Sequence, residues 1–517
     1  MAPSARAAGM ILGGVPRDEA EAEGVLIEYA RAGIRAFLLP GALLGDPVLA
    51  AAIVAKARRA VRDANLGRAL VAVGGDALPR FGLPFSPQVP APLCLAASGS
   101  ARAARRAGHV LGELASACGI DMVLAPRLDL ATDPKDASGA LDLFGADPRE
   151  VGNLGAAYAR GLADGGASAC VGRFPGLGST CCAESGEGVP LVDLPVDRLE
   201  KCETRPFARA IASGAAAVLV GRALVPAFET ERVPASRSAR VIEGRLRAEL
   251  GFRGIVVGDD GREDSDKGRA AVLGILAGCD LCLFSMPEDA LSAAAALEGA
   301  SSSGELPALR LEASRKRLDE FFLRRGPESR EGSRPPSPAA LLRAVKDRED
   351  GFCLLGGSLN LSSASTGSYK GVLVVLFSPP AGSSEAWEAE AAAEALRTGL
   401  PGAHVVSMRA EPEPGDAEAL TLTIERAGGY AEAAILTYDA HFRPAQESMA
   451  RFVEESVPRL VVIAMRDPYD AAFFPRAAGL GAAFGFSAQA AATVVKHLSG
   501  KTKAEGRCPV PVIGLEV

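Results

Sequence analysis

The sequence predicts an α/β protein, a (β/α)8 TIM-type barrel followed by an α/β sandwich, and three observations carry that prediction. Short apolar runs alternate with helical patterns along the first three fifths of the chain. One of those runs, Gly251-Phe252-Arg253-Gly254-Ile255-Val256-Val257-Gly258, ends in the adjacent carboxylates Asp259 and Asp260. A polar, proline-rich stretch near 325–338 then interrupts the alternation, which resumes beyond it. Parallel strands with helical crossovers read this way, because each strand is buried on both faces and returns through a helix.

In order, the strand-like runs are 10–12, 36–39, 69–73, 122–125, 167–171, 216–220, 255–257 and 281–284. Helical patterns lie between them at 19–31, 49–63, 101–117, 150–163, 196–213, 236–250 and 267–277, with a last one at 312–325. Seven or eight strands with crossovers suit a closed barrel, whose strand C-termini carry the chemistry. At such a position Asp259 is either a reacting carboxylate or a cap for the turn that follows. Domain one is read as 1–326, a linker as 327–340 and domain two as 341–517. In the second domain, strands fall near 372–377, 405–408, 434–438 and 460–464, and helices near 384–397, 445–455 and 488–498.

Composition narrows the functional classes. The chain has 517 residues, 48% hydrophobic and 23% charged, and its excess of alanine, glycine and arginine carries the mark of coding bias. A net charge of −7 without a dense basic cluster gives no footprint for nucleic acid or an anionic membrane. No apolar run reaches the roughly 18 residues of a membrane helix, and the first residues lack a signal-peptide pattern, so a cytoplasmic protein is expected. The 10 cysteines are scattered, as free thiols are. Cys181-Cys182 has neither a CxxC spacing nor a histidine nearby, so no metal site is expected there, and no cofactor is expected.

Four stretches resemble glycoside hydrolase family 3, in particular its two-domain bacterial β-N-acetylglucosaminidase branch. They are Pro206-Phe207-Ala208-Arg209 running on to Asp259; Phe174-Pro175-Gly176 with Val192-Asp193-Leu194-Pro195; Ala125-Pro126-Arg127-Leu128-Asp129 with Phe144-Gly145; and Met465-Arg466-Asp467-Pro468-Tyr469-Asp470. The resemblance implies a barrel followed by a sandwich, a carbohydrate ligand, and retaining cleavage of glycosides by an aspartate nucleophile, the position on which Asp259 falls. It also implies an acid histidine on the loop after Phe174-Pro175-Gly176. That loop, 177–188, has no histidine, and the chain's four are His109, His404, His441 and His497. Glu184 or Glu187 would stand in as the general acid, which requires burial to raise its pKa.

Sugar-binding positions depart as well. Gly172-Arg173 stands where relatives have Lys-His, Asp142 precedes Leu143-Phe144-Gly145 where they have an arginine, and the early aspartate element reads Gly74-Gly75-Asp76-Ala77. Arg173, Asp76 and Asp142 are therefore the candidate substrate-binding residues. A catalytically silent relative that binds a glycan or a protein partner is the alternative reading. The glycine-rich loop 177–188 is expected to be mobile and the linker to be open to protease.

Overall fold

The computed structural model describes residues 7–41, 43, 46–74, 89–135, 140–180, 189–259, 266–326, 336–361, 371–383, 385–512 and 514. Eight parallel strands close a barrel: β1 (Ile11–Gly14), β2 (Ala36–Leu39), β3 (Leu70–Gly74), β4 (Met122–Leu124), β5 (Ser168–Phe174), β6 (Ala217–Val220), β7 (Ile255–Gly258) and β8 (Leu281–Phe284). Closure is the β1–β8 pairing, with Leu12 opposite both Ala36 and Leu283. These strands are short and apolar because both faces are buried, one by the barrel interior and the other by helices.

Local chemistry sets the helix ends. Asp18 caps Glu19–Ala32 by accepting from two backbone amides, Asp147 does the same for Pro148–Gly165, and Gly33 and Gly166 end those helices in the left-handed conformation. Helices Ala101–Ala117 and Pro148–Gly165 meet backbone to backbone. A Cβ at Gly161 would lie 2.1 Å from the Arg105 carbonyl oxygen, and one at Gly112 would lie 2.4 Å from that of Leu162. Part of the glycine excess thus has a packing role.

Two helical expectations change in detail. Residues 196–213 are not one helix: Val196–Arg198, a π-turn Leu199–Glu203 and Arg205–Ala212 follow one another, and Pro206 sits in the first turn of the last. The 236–250 pattern divides into a 3-10 turn, Ala235–Arg237, and a π-helix, Arg240–Glu249. The helix Pro287–Ser303, absent from the sequence reading, follows β8.

The chain divides into two compact units. The first comprises Met1–Ser86, Ala104–Ala137 and Asp147–Leu341, and the second comprises Pro87–Ala103, Ser138–Ala146 and Leu342–Val517. The cuts read at 326 and 341 follow the chain but do not match these units, because two early segments bond within the second. Leu93 donates to the Leu141 carbonyl at 3.1 Å, Arg507 to that of Ala97 at 2.9 Å, and Ala140 to the Asp467 carboxylate at 3.2 Å. Helix Pro338–Asp350 begins inside the stretch read as linker, whose residues 327–335 lie outside the described residues.

The second unit holds a six-stranded sheet: β9 (Cys353–Gly357), β10 (Val372–Ser378), β11 (His404–Arg409), β12 (Glu432–Thr437), β13 (Arg459–Ala464) and β14 (Gly479–Ala482). Its order is β11-β10-β12-β13-β14-β9, parallel except for β9, which runs antiparallel to β14. Helices Ala389–Gly399, Pro414–Arg426, Pro444–Ser456 and Ala488–Leu498 intervene.

Candidate active site

Because every barrel strand is parallel, their carboxyl ends form one rim. Asp259 follows β7 directly, half-buried, and its amide donates to the Val220 carbonyl at 3.0 Å. The end of β6 is tied in turn to β5, where Gly221 donates to Phe174 at 2.8 Å. Arg173 is therefore the penultimate residue of one strand, and Asp259 follows the strand two places along the same rim.

Behind Arg173 lies Asp129, which is fully buried. One carboxylate oxygen accepts from the Leu177 amide at 2.8 Å, and the other faces Arg127 Nε at 3.1 Å and Arg173 Nε at 3.6 Å. Burial alone would raise its pKa, but the two guanidinium groups and the amide outweigh burial and hold it below the usual carboxylate range. The arrangement orients Arg173 and anchors the start of the loop after Phe174-Pro175-Gly176.

Glu203 closes the same corner. Its side chain is wholly buried, 3.3 Å from Arg198 Nη2, and burial pushes its carboxyl above the usual range against the pull of Arg198. Its Oε2 has no hydrogen-bond partner among the described residues. Ser179 Oγ lies 3.5 Å from Oε1, and a Cβ at Gly176 would stand 3.0 Å from the Glu203 Cβ.

Residues 15–320 match the glycosyl hydrolase family 3 N-terminal domain. The chain belongs to glycosyl hydrolase family 3. A β-hexosaminidase of Xylella fastidiosa (strain 9a5c) is 36% identical over 188 residues, covering 35% of this chain and 54% of that protein. One from Stenotrophomonas maltophilia (strain K279a) is 32% identical over 203 residues, 38% of this chain and 59% of that protein. The chain spans little more than half the length of the curated relatives it matches. The structure of a glycoside hydrolase family 3 β-N-acetylglucosaminidase from Paenibacillus sp. str. FPU-7 superposes with a TM-score of 0.86 over 99% of both chains at 26% identity. The barrel-plus-sandwich fold and the resemblance to the β-N-acetylglucosaminidase branch read from the sequence are those of this family member.

Of the residues singled out in the sequence, Arg173 and Asp259 come to the same rim of the family barrel. Asp142 does not join them within that unit; it is half-buried in the segment Ser138–Ala146 of the second unit. Asp76, Glu184, Glu187 and Cys181-Cys182 lie outside the described residues. The described start of the loop read as mobile is well bonded. Leu177 and Gly178 are buried, Thr132 Oγ1 lies 2.9 Å from the Gly178 carbonyl, and a Cβ at Gly178 would stand 1.8 Å from the Leu130 carbonyl. His109 sits on a barrel helix 3.4 Å from Glu113, and the other three histidines belong to the second unit. Among the described residues no helix is long and apolar enough to cross a membrane.

The second-unit stretch Met465-Arg466-Asp467-Pro468-Tyr469-Asp470 follows β13, and beside it the chain leaving β12 supplies Tyr438, Asp439 and His441. His441 Nδ1 is 2.6 Å from Asp470, Arg466 Nε is 3.0 Å from Asp439, and Arg466 also pairs with Glu385. Burial and the neighbouring Asp439 charge push Asp467 up to about 7. For His441 burial works the other way, but the bond to Asp470 prevails and raises its pKa.

Sequence reasoning quoted Asp129 only as part of a motif and did not mark Glu203. An acid at the end of a π-turn gives little signal of its own.

Proposed function

We propose that this chain hydrolyses β-N-acetylhexosaminides with retention, using Asp259 as the nucleophile. The observation that carries the reading is the placement of Asp259 directly after β7, at the carboxyl rim of a family 3 barrel. A carboxylate there is placed to attack the anomeric carbon of a bound sugar, forming a covalent glycosyl-enzyme that water then hydrolyses. Arg173, oriented by Asp129, is the proposed contact to substrate hydroxyl or amide oxygens, and Asp76 and Asp142 are proposed to supply further contacts. Glu184 or Glu187 is proposed to protonate the leaving oxygen. Names of relatives such as the β-hexosaminidase of Xylella fastidiosa favour an amino sugar as substrate.

Aryl glycosides of N-acetylglucosamine and glucose test the reading. Asp259→Asn should reduce turnover to background on every substrate. General acid catalysis contributes roughly 10²- to 10⁴-fold, so Glu184→Gln or Glu187→Gln should slow a natural-type glycoside by that order and spare an activated aryl one. Activity untouched by Asp259→Asn would overturn the nucleophile. Absence of turnover on any glycoside, with glycan binding intact, would establish the catalytically silent reading.

A further inference from the structure

Helix Pro338–Asp350 turns one face inward, and the residues it buries are Ala344, Asp347 and Arg348. Their spacing keeps them on one stripe of the helix, so a guanidinium stands where a helix ordinarily buries an aliphatic side chain. Arg348 is 3% exposed. Its carbonyl accepts from the Gly351 amide at 3.2 Å and from the Cys94 thiol at 3.7 Å. The guanidinium itself forms no hydrogen bond and no ion pair with any described residue, and its Nε is enclosed without an acceptor. Burial lowers its pKa, yet an arginine keeps its proton near neutrality, so the charge persists inside the second unit.

Three ionisable groups lie near enough for their charges to act on Arg348, namely Cys94, Glu388 and Glu385. None of them is its counter-ion. Burial pushes the Cys94 thiol up to about 11, so it is uncharged at neutral pH. Glu388 is raised by burial as well, and its carboxyl accepts from the Ala488 amide at 3.1 Å. Glu385 accepts from the Tyr438 hydroxyl at 2.6 Å and pairs with Arg466. Beside the guanidinium lies Gly485, where a Cβ would stand 2.8 Å from Nη1. Its φ is outside the left-handed region, so clearance for Arg348, rather than backbone conformation, calls for glycine there.

We propose that Arg348 anchors a buried site for one halide ion, chloride being the common one. An unpaired guanidinium inside a protein is costly, and a bound anion compensates both its charge and its donors. One positive charge calls for one negative charge. Near-complete burial excludes a phosphate ester or an organic carboxylate, whereas a single-atom anion needs little room and accepts charge-assisted N–H bonds from any direction. A water molecule would meet the donors and leave the charge uncompensated. The ion would tie helix Pro338–Asp350 to the turn after β14, and Arg348 and Gly485 both belong to the second unit. This site stands independently of the hydrolase reading.

Two measurements on the full chain test the proposal. In crystals grown with sodium bromide, anomalous scattering should place a bromide ion against the Arg348 guanidinium. In urea, with sodium chloride exchanged for sodium gluconate at constant ionic strength, the unfolding constant should fall about tenfold for each tenfold rise in chloride above its dissociation constant, because the ion binds the folded chain alone. Gluconate is too large to substitute. Arg348→Gln removes the charge and should abolish the chloride dependence, while Arg343→Gln, an exposed position on the same helix, should retain it. Should Arg348→Gln fail to fold, Gly485→Ala gives the second variant: its methyl crowds Nη1 and should raise the chloride concentration at half effect at least about tenfold, as expected when a hydrogen bond to a charged group is lost. Bromide confined to the protein surface, or a water in its place beside Arg348, would overturn the site. So would a chloride response that is equal in Arg348→Gln or unaltered in Gly485→Ala.

Discussion

The amino-terminal rim of the barrel and the polar cluster of the second unit solve opposite problems. At the rim, buried acids gather cations: Asp121, one residue before β4, and Asp280, one residue before β8, are each surrounded by three arginines. In the second unit, four carboxyl groups, Glu385, Asp439, Asp467 and Asp470, have only Arg466 and His441 as ion-pair partners among the described residues. The two clusters therefore respond differently. Guanidinium groups cannot give up a proton near neutrality, so the arginine clusters keep their charge. Excess carboxyl can be buried by taking a proton, and Asp467 does so with a pKa of about 7. One cluster keeps its charge across the neutral range, and the other answers to pH.

The largest test of this contrast is Asp280→Ala. It takes their buried acid from three guanidinium groups, of which Arg247 keeps Glu243, and an acceptor from Ser314 and the Val256 amide, and removing one partner of a buried ion pair costs about 3–5 kcal/mol. Urea denaturation followed by tryptophan-independent circular dichroism measures it. A loss near zero would mean that the arginines do not depend on their acid.

Next comes pH. Asp467 folds with a raised pKa, so between about pH 4, its unfolded value, and about 7 the native chain binds more protons than the unfolded one, and stability falls as pH rises through that window. The raised pKa of His441 acts in the same direction: its contribution is complete below about 6.5 and is lost as pH rises through the folded value. Hydrogen-exchange protection of β12 and β13, corrected for intrinsic rates, should fall about tenfold for each 1.4 kcal/mol lost between pH 5 and 8. Asp467→Asn keeps an acceptor for Ala140 and should flatten that decline. Barrel strands serve as the internal reference, and an equal decline there would remove the contrast.

The smallest effect is expected at Glu203, whose carboxyl is raised by burial. Its ionisation is disfavoured in the native state, so Glu203→Gln should be neutral or stabilising by up to about 1 kcal/mol at pH 8 and show no gain near pH 4. A clear loss at pH 8 would mean that the pairing with Arg198 outweighs desolvation.

The sequence made the barrel legible because each strand is a short, doubly buried apolar run; β2 and β8 match their sequence ranges, and the others shift by a residue or two except β5, which runs three residues further. It hid β9 and β14, since Gly356-Gly357 and Gly479-Leu480-Gly481 lack the β-branched and aromatic residues that mark strands. Asp259 and Arg173 stood out by position at strand ends. Asp121 and Asp280 did not, although each sits one residue before an apolar run, at equivalent points of the barrel. An acid there bonds the amide of the second residue of a neighbouring strand, and that recurrence is the signal available in the chain. Their arginine partners come from elements far away in sequence, and only folding shows them together.

The divided sequence of the second unit bears on the order in which the protein is made. Segments 87–103 and 138–146 leave the ribosome while the barrel is still being synthesised, yet their hydrogen-bond partners at Asp467 and Arg507 are translated only after the whole barrel. Strand β9 likewise waits for β14. A nascent chain stalled before 460 can complete barrel strands but leaves Ala97 and Ala140 without those partners, so the second unit becomes native only once residue 507 has been translated.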